Sequence, residues 1–155
     1  MKGIKLEEPR NVDCVELEKP VPGPGEALIR IVTAGICGSD IGAFRGTNTL
    51  VSYPRIIGHE LAGIVEEIPA DNPKGLKPGD KVIVDPYIYC GECYPCSIGR
   101  TNCCTSLKVL GVHIDGGMAE YFCHPADMLV KMPEDMDWTD AAMAEPLTIS
   151  LHGIH

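Results

Sequence analysis

The stretch Cys90-Gly91-Glu92-Cys93-Tyr94-Pro95-Cys96, followed by Cys104, sets four thiols in a C-x2-C-x2-C-x7-C pattern. A structural zinc ion takes four soft, deprotonated ligands in a tetrahedron, and two-residue spacings let one short loop wrap the ion with little chain entropy to lose. Gly91 and Gly99 supply the backbone freedom such a loop needs. Cys103 adjoins Cys104, and by spacing alone either one could close the tetrahedron. The bland alternative is a loop of unliganded thiols in a reducing cell.

The rest of the composition agrees with a metal-binding role for these cysteines rather than a disulfide framework. Eight cysteines in 155 residues are about 5%, short of the roughly 8–10% of a small disulfide scaffold. The amino terminus, Met1-Lys2-Gly3-Ile4-Lys5-Leu6-Glu7-Glu8-Pro9, carries charges where a signal peptide needs an apolar run. No segment approaches the ~18 apolar residues of a membrane span. A cytoplasmic, reducing setting is expected, with no membrane partner. Thirteen Lys and Arg against 22 Asp and Glu give a net charge of −9, which excludes a phosphate-backbone binder and hence a nucleic-acid partner.

Outward from the cysteine loop, short β-type segments alternate with Gly/Pro turns. Strands are expected at Gly3 to Glu7, Val12 to Leu17, Ala27 to Ala34, Ile57 to Ile68, Lys81 to Asp85, Ala119 to Cys123 and Met128 to Lys131. Turns fall at Pro22-Gly23-Pro24-Gly25, Asn72-Pro73-Lys74-Gly75 and Lys77-Pro78-Gly79-Asp80. The pattern predicts a partly closed β-barrel or sandwich, with a short helix from Ser39 to about Arg45. The tail differs. Asp137 can cap a helix starting near Trp138, and Pro146 sets Glu145 at a break where a second helix restarts with proline at its first position. The sequence ends inside that second helix.

A second group of candidate ligands lies at Cys37-Gly38-Ser39-Asp40 and Gly58-His59-Glu60. Cys37 ends one expected strand and His59 lies in the next, so a sulfur and a nitrogen could converge with a carboxylate and leave a coordination position open, as catalytic zinc requires. On spacing alone the signal is weak, and a buried cysteine with a hydrogen-bonded core histidine is the commoner reading.

Taken in order, Ala34-Gly35-Ile36-Cys37-Gly38-Ser39-Asp40, Gly58-His59-Glu60, Pro78-Gly79-Asp80-Lys81-Val82, the four-cysteine lobe, Asp115-Gly116-Gly117-Met118-Ala119-Glu120-Tyr121 and Glu145-Pro146-Leu147 resemble the medium-chain zinc-dependent alcohol dehydrogenases. Within that family the likeness is to the polyol, threonine and sugar-acid dehydrogenase branch. The resemblance covers essentially all 155 residues. It implies a mainly β, GroES-like, partly open barrel with a zinc lobe at about 86–108 and C-terminal helices, so that residues 1–155 form the catalytic domain.

By position, Cys37 and His59 resemble the two residues that anchor the catalytic zinc, and Glu145 the third ligand, where this branch has glutamate. Glu60 resembles a neighbouring glutamate that can approach or replace a ligand. Consecutive residues of a regular strand face opposite sides, so His59 and Glu60 can share one metal only where the backbone is irregular. Glu145 is therefore ranked as the coordinating carboxylate, its alternative role being a helix cap. Ser39 resembles the hydroxyl that takes the alcohol proton, and Asp40 the carboxylate that orients the histidine. Gly42 and Ala43 occupy the stretch where many members carry a relay histidine. Cys90, Cys93, Cys96 and Cys104 match the structural-zinc lobe, with Cys104 selected over Cys103. Cys14 and Cys123 are expected as small core hydrophobes, and His113, His124 and His152 match no ligand role.

The resemblance implies two zinc ions per chain, one catalytic and one structural. It also implies oxidation of a secondary alcohol (a polyol, sugar acid or amino alcohol) to a ketone, with hydride passing to NAD or NADP and zinc acting as Lewis acid. No G-x-G-x-x-G turn occurs here. The dinucleotide-binding Rossmann domain is thus expected outside this chain, which alone should be inactive. A homo-oligomer is common in the family. The competing class is a non-catalytic zinc-binding GroES-like module. A zinc-free quinone reductase conflicts with Cys37, His59 and the cysteine lobe.

Overall fold

The computed structural model describes residues 1–154. Its strands are β1 (Lys2–Glu8), β2 (Asn11–Glu16) and β3 (Glu26–Ala34), after which Cys37 caps helix α1 (Gly38–Arg45). There follow β4 (Arg55–Ile56), β5 (Leu61–Glu67), β6 (Lys81–Val84) and β7 (Tyr87–Ile88). The lobe carries the one-turn helix α2 (Tyr94–Ser97) and β8 (Lys108–Val109), and the chain then returns through β9 (Tyr121–Pro125) and β10 (Leu129–Lys131) to α3 (Trp138–Ala142) and α4 (Ala144–His152).

Five strands in the order β10-β6-β5-β3-β9, all antiparallel, form a sheet that curls into a half-barrel. A second sheet, β2-β1-β4, and the β7-β8 ribbon complete the architecture. The main core lies within the curl, where Ala27, Ile29, Leu61, Val65, Val82 and Leu129 pack together. Their alternation along β6, where Val82 and Val84 are buried and Lys81 and Ile83 are not, is the period-two signature of a sheet with one face on the core. A smaller core of Leu6, Ala43, Val51, Ile57 and Val112 joins β1 to α1.

The expected strand from Ile57 to Ile68 is interrupted. Residues 57–60 belong to no strand, and β5 starts at Leu61. Gly58 has φ +100°, a conformation that β-branched neighbours avoid and glycine adopts freely. The Asp115-Gly116-Gly117-Met118 segment fixes that elbow. The N–H groups of Gly116, Gly117 and Met118 donate to the carbonyls of Ile56, Gly58 and Ile57 at 2.7, 3.1 and 2.9 Å, and Asp115 Oδ1 accepts from the Ile56 N–H at 3.1 Å.

Three further expectations need correction. Glu145 is not at a break but inside the first turn of α4, with Pro146 after it. A proline is tolerated there because the first four helical N–H groups have no intrahelical acceptor to lose. The second helix was expected to run to the end of the chain; it stops at His152, and His155 lies outside the described residues. Cys14 is exposed in β2, the outer strand of its sheet, so it is no core hydrophobe, whereas Cys123 is half-buried in β9. The Asp137 cap forms as expected, its side chain accepting from the Thr139 N–H at 2.8 Å.

Candidate metal centres

The tight turns of the lobe bring the sulfurs of Cys90, Cys93, Cys96 and Cys104 within 4.8 Å of one another. Cys93 and Cys96 are 3.4 Å apart, and Cys90 and Cys104 3.5 Å apart. Zinc–sulfur bonds of about 2.3 Å in a tetrahedron set neighbouring sulfurs ~3.8 Å apart, so the cluster has nearly the size of an S4 zinc site. Its backbone is arranged for thiolates. The N–H groups of Cys90 and Ser106 point at Cys104 Sγ (3.3 and 3.4 Å), and that of Cys93 at Cys90 Sγ (3.4 Å). Backbone N–H groups lower the thiol pKa of three of the four: those of Glu92 and Cys93 act on Cys90, those of Thr105 and Cys96 on Cys93, and those of Cys90 and Ser106 on Cys104, while desolvation pushes Cys96 up to about 12. Cys103 is exposed and outside the group.

The second centre draws on three elements. Cys37 stands between β3 and α1, His59 and Glu60 follow the Gly58 elbow, and Glu145 comes from α4. The elbow removes the strand alternation that would have turned His59 and Glu60 apart, so a ligand atom from each of Cys37, His59 and Glu60 lies within 4.8 Å of the others. Glu145 is not in that group. It lines the same cleft of about 560 Å³, together with Cys37, Ser39, His59 and His113, but its Oε1 accepts a 2.6 Å hydrogen bond from the Tyr87 hydroxyl.

The supporting contacts are short. Ser39 Oγ is 3.3 Å from His59 Nε2. Asp40 accepts from the Cys37 N–H through Oδ2 at 2.9 Å, and its Oδ1 is 3.7 Å from His59 Nδ1. His59 Nδ1 is buried with no hydrogen-bond partner within reach.

Charge is the test of whether these residues fit a metal. Asp40, Glu60 and Glu145 are 3, 6 and 7% exposed. Among the described residues, none of the three forms an ion pair with a lysine or arginine. Buried carboxylates are ordinarily paired with a cation or coordinate one. Three of them around one thiol and one imidazole lack a countercharge that a divalent cation would supply, and the mixed S, N, O donor set suits zinc.

Sequence reasoning missed Tyr87 and His113, both of which line the cleft. No motif marks either. His113 Nδ1 accepts from the Val109 N–H at 3.1 Å, which leaves the neutral ring's proton on Nε2. His124 is fully buried elsewhere, its Nε2–H donating to the Asp85 carbonyl at 2.8 Å.

Comparison with known proteins bears on the same region. The family model for the alcohol dehydrogenase GroES-like domain matches residues 23–134. The chain belongs to this family. The GroES-like domain here is 56% identical over its full length to an uncharacterized zinc-type alcohol dehydrogenase-like protein of Haemophilus influenzae, covering 45% of that protein. It is 42% identical to L-galactonate-5-dehydrogenase of Escherichia coli, over 99% of this chain and 45% of the other. Among solved structures, RspB of Escherichia coli, a short chain alcohol dehydrogenase complexed with NADH, superposes with a TM-score of 0.89 at 45% identity, over 97% of this chain and 44% of that one. This GroES-like domain thus spans about 45% of the length of the curated relatives it matches. No helix among its described residues is long and apolar enough to cross a membrane.

Proposed function

We propose that this chain is the metal-holding catalytic domain of a zinc-dependent dehydrogenase that oxidises a secondary alcohol to a ketone with NAD or NADP. The observation that carries the reading is the cation-free set of buried carboxylates around Cys37 and His59. The relatives support the substrate class: one is named for L-galactonate, another, from Pyrococcus furiosus, for L-threonine, both of which carry secondary alcohols. The NADH of the RspB structure supports the cofactor class.

In this reading Cys37, His59 and a carboxylate of Glu60 or Glu145 hold a catalytic zinc, and Cys90, Cys93, Cys96 and Cys104 hold a structural one. A zinc ion held there would polarise the alcohol oxygen and favour loss of its proton. The chain's own residues do the rest. The Asp40 carboxylate, 3.7 Å from His59 Nδ1, biases that ring by charge, and Ser39 Oγ, 3.3 Å from His59 Nε2, takes the alcohol proton while releasing its own to water. The cleft beneath α4 orients the alcohol carbon for hydride loss to the nicotinamide. The acceptor-binding part corresponds to the portion of the relatives that this chain does not span.

Metal analysis together with a dehydrogenase screen of the gene's complete product tests the reading. The expected result is two zinc ions per chain, one lost in Cys37→Ser, and alcohol-dependent reduction of NAD or NADP. Zinc retained in full by Cys37→Ser overturns the catalytic centre. Two zinc ions with no oxidation of any polyol, sugar acid or amino alcohol favour a non-catalytic zinc-binding module.

A further inference from the structure

Two carboxylates face one candidate metal centre, and the structure treats them differently. Glu60 lies within the group formed with Cys37 and His59, whereas Glu145 lines the same cleft outside it. Glu145 is buried on the first turn of α4, with its carboxylate largely withdrawn from solvent. Its Oε1 is held instead by the Tyr87 hydroxyl at 2.6 Å, the length of a strong O–H···O⁻ bond. The donor is anchored independently of α4. Tyr87 lies in β7, pairs with Val109 of β8, and donates its own N–H to Asp85 Oδ1 at 3.1 Å.

We propose that Tyr87 is a positioning residue: its hydroxyl holds Glu145 away from Cys37 and His59 and so reserves the carboxylate position of the metal centre for Glu60. The proposal rests on the reading of Cys37 and His59 as metal-holding residues. A buried carboxylate deprived of its only strong donor must find another partner. The other donors lining the cleft are neutral side chains, so a divalent cation at Cys37 and His59 would be the strongest partner open to Glu145, and zinc can expand from four to five ligands. Tyr87 thereby keeps one coordination position available to the alcohol.

Cobalt(II) in place of zinc gives a direct readout, because its d–d absorption weakens as ligands are added. The difference between the parent chain and Cys37→Ser isolates this centre from the cysteine lobe. Tyr87→Phe is expected to lose d–d intensity, and Tyr87→Phe combined with Glu145→Gln to recover the parent spectrum, which a merely structural role of the tyrosine would not produce. In the parent background Glu60→Gln is expected to change the spectrum and Glu145→Gln to leave it unchanged, an arm that does not depend on how well Tyr87→Phe folds. A parent spectrum in Tyr87→Phe, a change that persists in the double variant, or sensitivity to Glu145→Gln alone overturns the role of Tyr87. A parent chain with no Cys37-dependent cobalt signal overturns the metal reading itself.

Discussion

The carboxylate of Glu60 lies against the α-carbon of Gly35. A β-carbon built on Gly35 would sit 2.0 Å from Glu60 Oε2 and 2.9 Å from its Cβ, and the Gly35 N–H donates to the Glu60 carbonyl at 2.8 Å. The glycine is therefore the floor on which Glu60 rests beside Cys37 and His59. Gly35→Ala is expected to expel the side chain, destabilise the fold by about 1–3 kcal/mol and lower zinc content from two ions per chain toward one. Zinc stoichiometry measured beside the thermal midpoint checks both effects.

Cys104 and Cys103 are adjacent in sequence but differ in environment, one in the sulfur cluster and the other exposed. Cys104→Ser is expected to lose the structural zinc and destabilise the lobe, whereas Cys103→Ser keeps both ions. Elemental analysis of the two purified variants separates them.

Gly58 stands at φ +100°, and a β-carbon there would meet Met118 Cβ at 2.9 Å. Gly58→Ala is expected to cost at least about 1–3 kcal/mol from the backbone conformation alone, and to turn His59 out of line with Cys37. Urea unfolding and zinc affinity report the two consequences separately.

His124 gives the fold a pH dependence of definite sign. Burial lowers its pKa below that of an ordinary histidine, so the folded chain holds the ring neutral while the unfolded chain takes up a proton below about pH 6.5. The unfolded state then binds more protons, and stability falls as pH drops through that window, by up to about 1.4 kcal/mol per pH unit. Asp80 and Asp137, whose carboxyls are held down by Lys131 and by the Thr139 N–H, add their losses only below about pH 4. Urea midpoints between pH 7 and 5, with zinc content checked at each point, should decline in the parent and decline less in His124→Gln.

Much of the fold was legible because local rules and tertiary packing agree. The β3, β6 and α1 segments, the Asp137 cap and the four-cysteine lobe follow from period-two patterning, cap chemistry and ligand spacing. Of the candidate site, the convergence of Cys37, His59 and Glu60 was legible in the sequence, but its internal geometry was not. His59 and Glu60 read as strand neighbours that could share a metal only across a bend; Gly58 permits that bend, but nothing local shows that the distant Asp115–Met118 segment imposes it. Glu145 read as a helix break because a proline follows it, yet a first-turn proline removes no hydrogen bond that the helix would have made. Tyr87 could not be found at all. Its partner is 58 residues away in sequence, and no spacing rule reaches that far.

The Gly58 elbow, pinned by the segment from Asp115 to Met118, also sets the two candidate metal centres on different schedules of assembly. All four lobe sulfurs lie between residues 90 and 104, so a nascent chain that has emerged only that far already carries every ligand the lobe needs. The centre at Cys37 and His59 has its ligands earlier in the sequence but obtains its shape only after residue 118 has been made and docked. The ligands encoded later thus form a group that is complete within one short segment, whereas those encoded earlier depend for their arrangement on a segment more than 50 residues downstream.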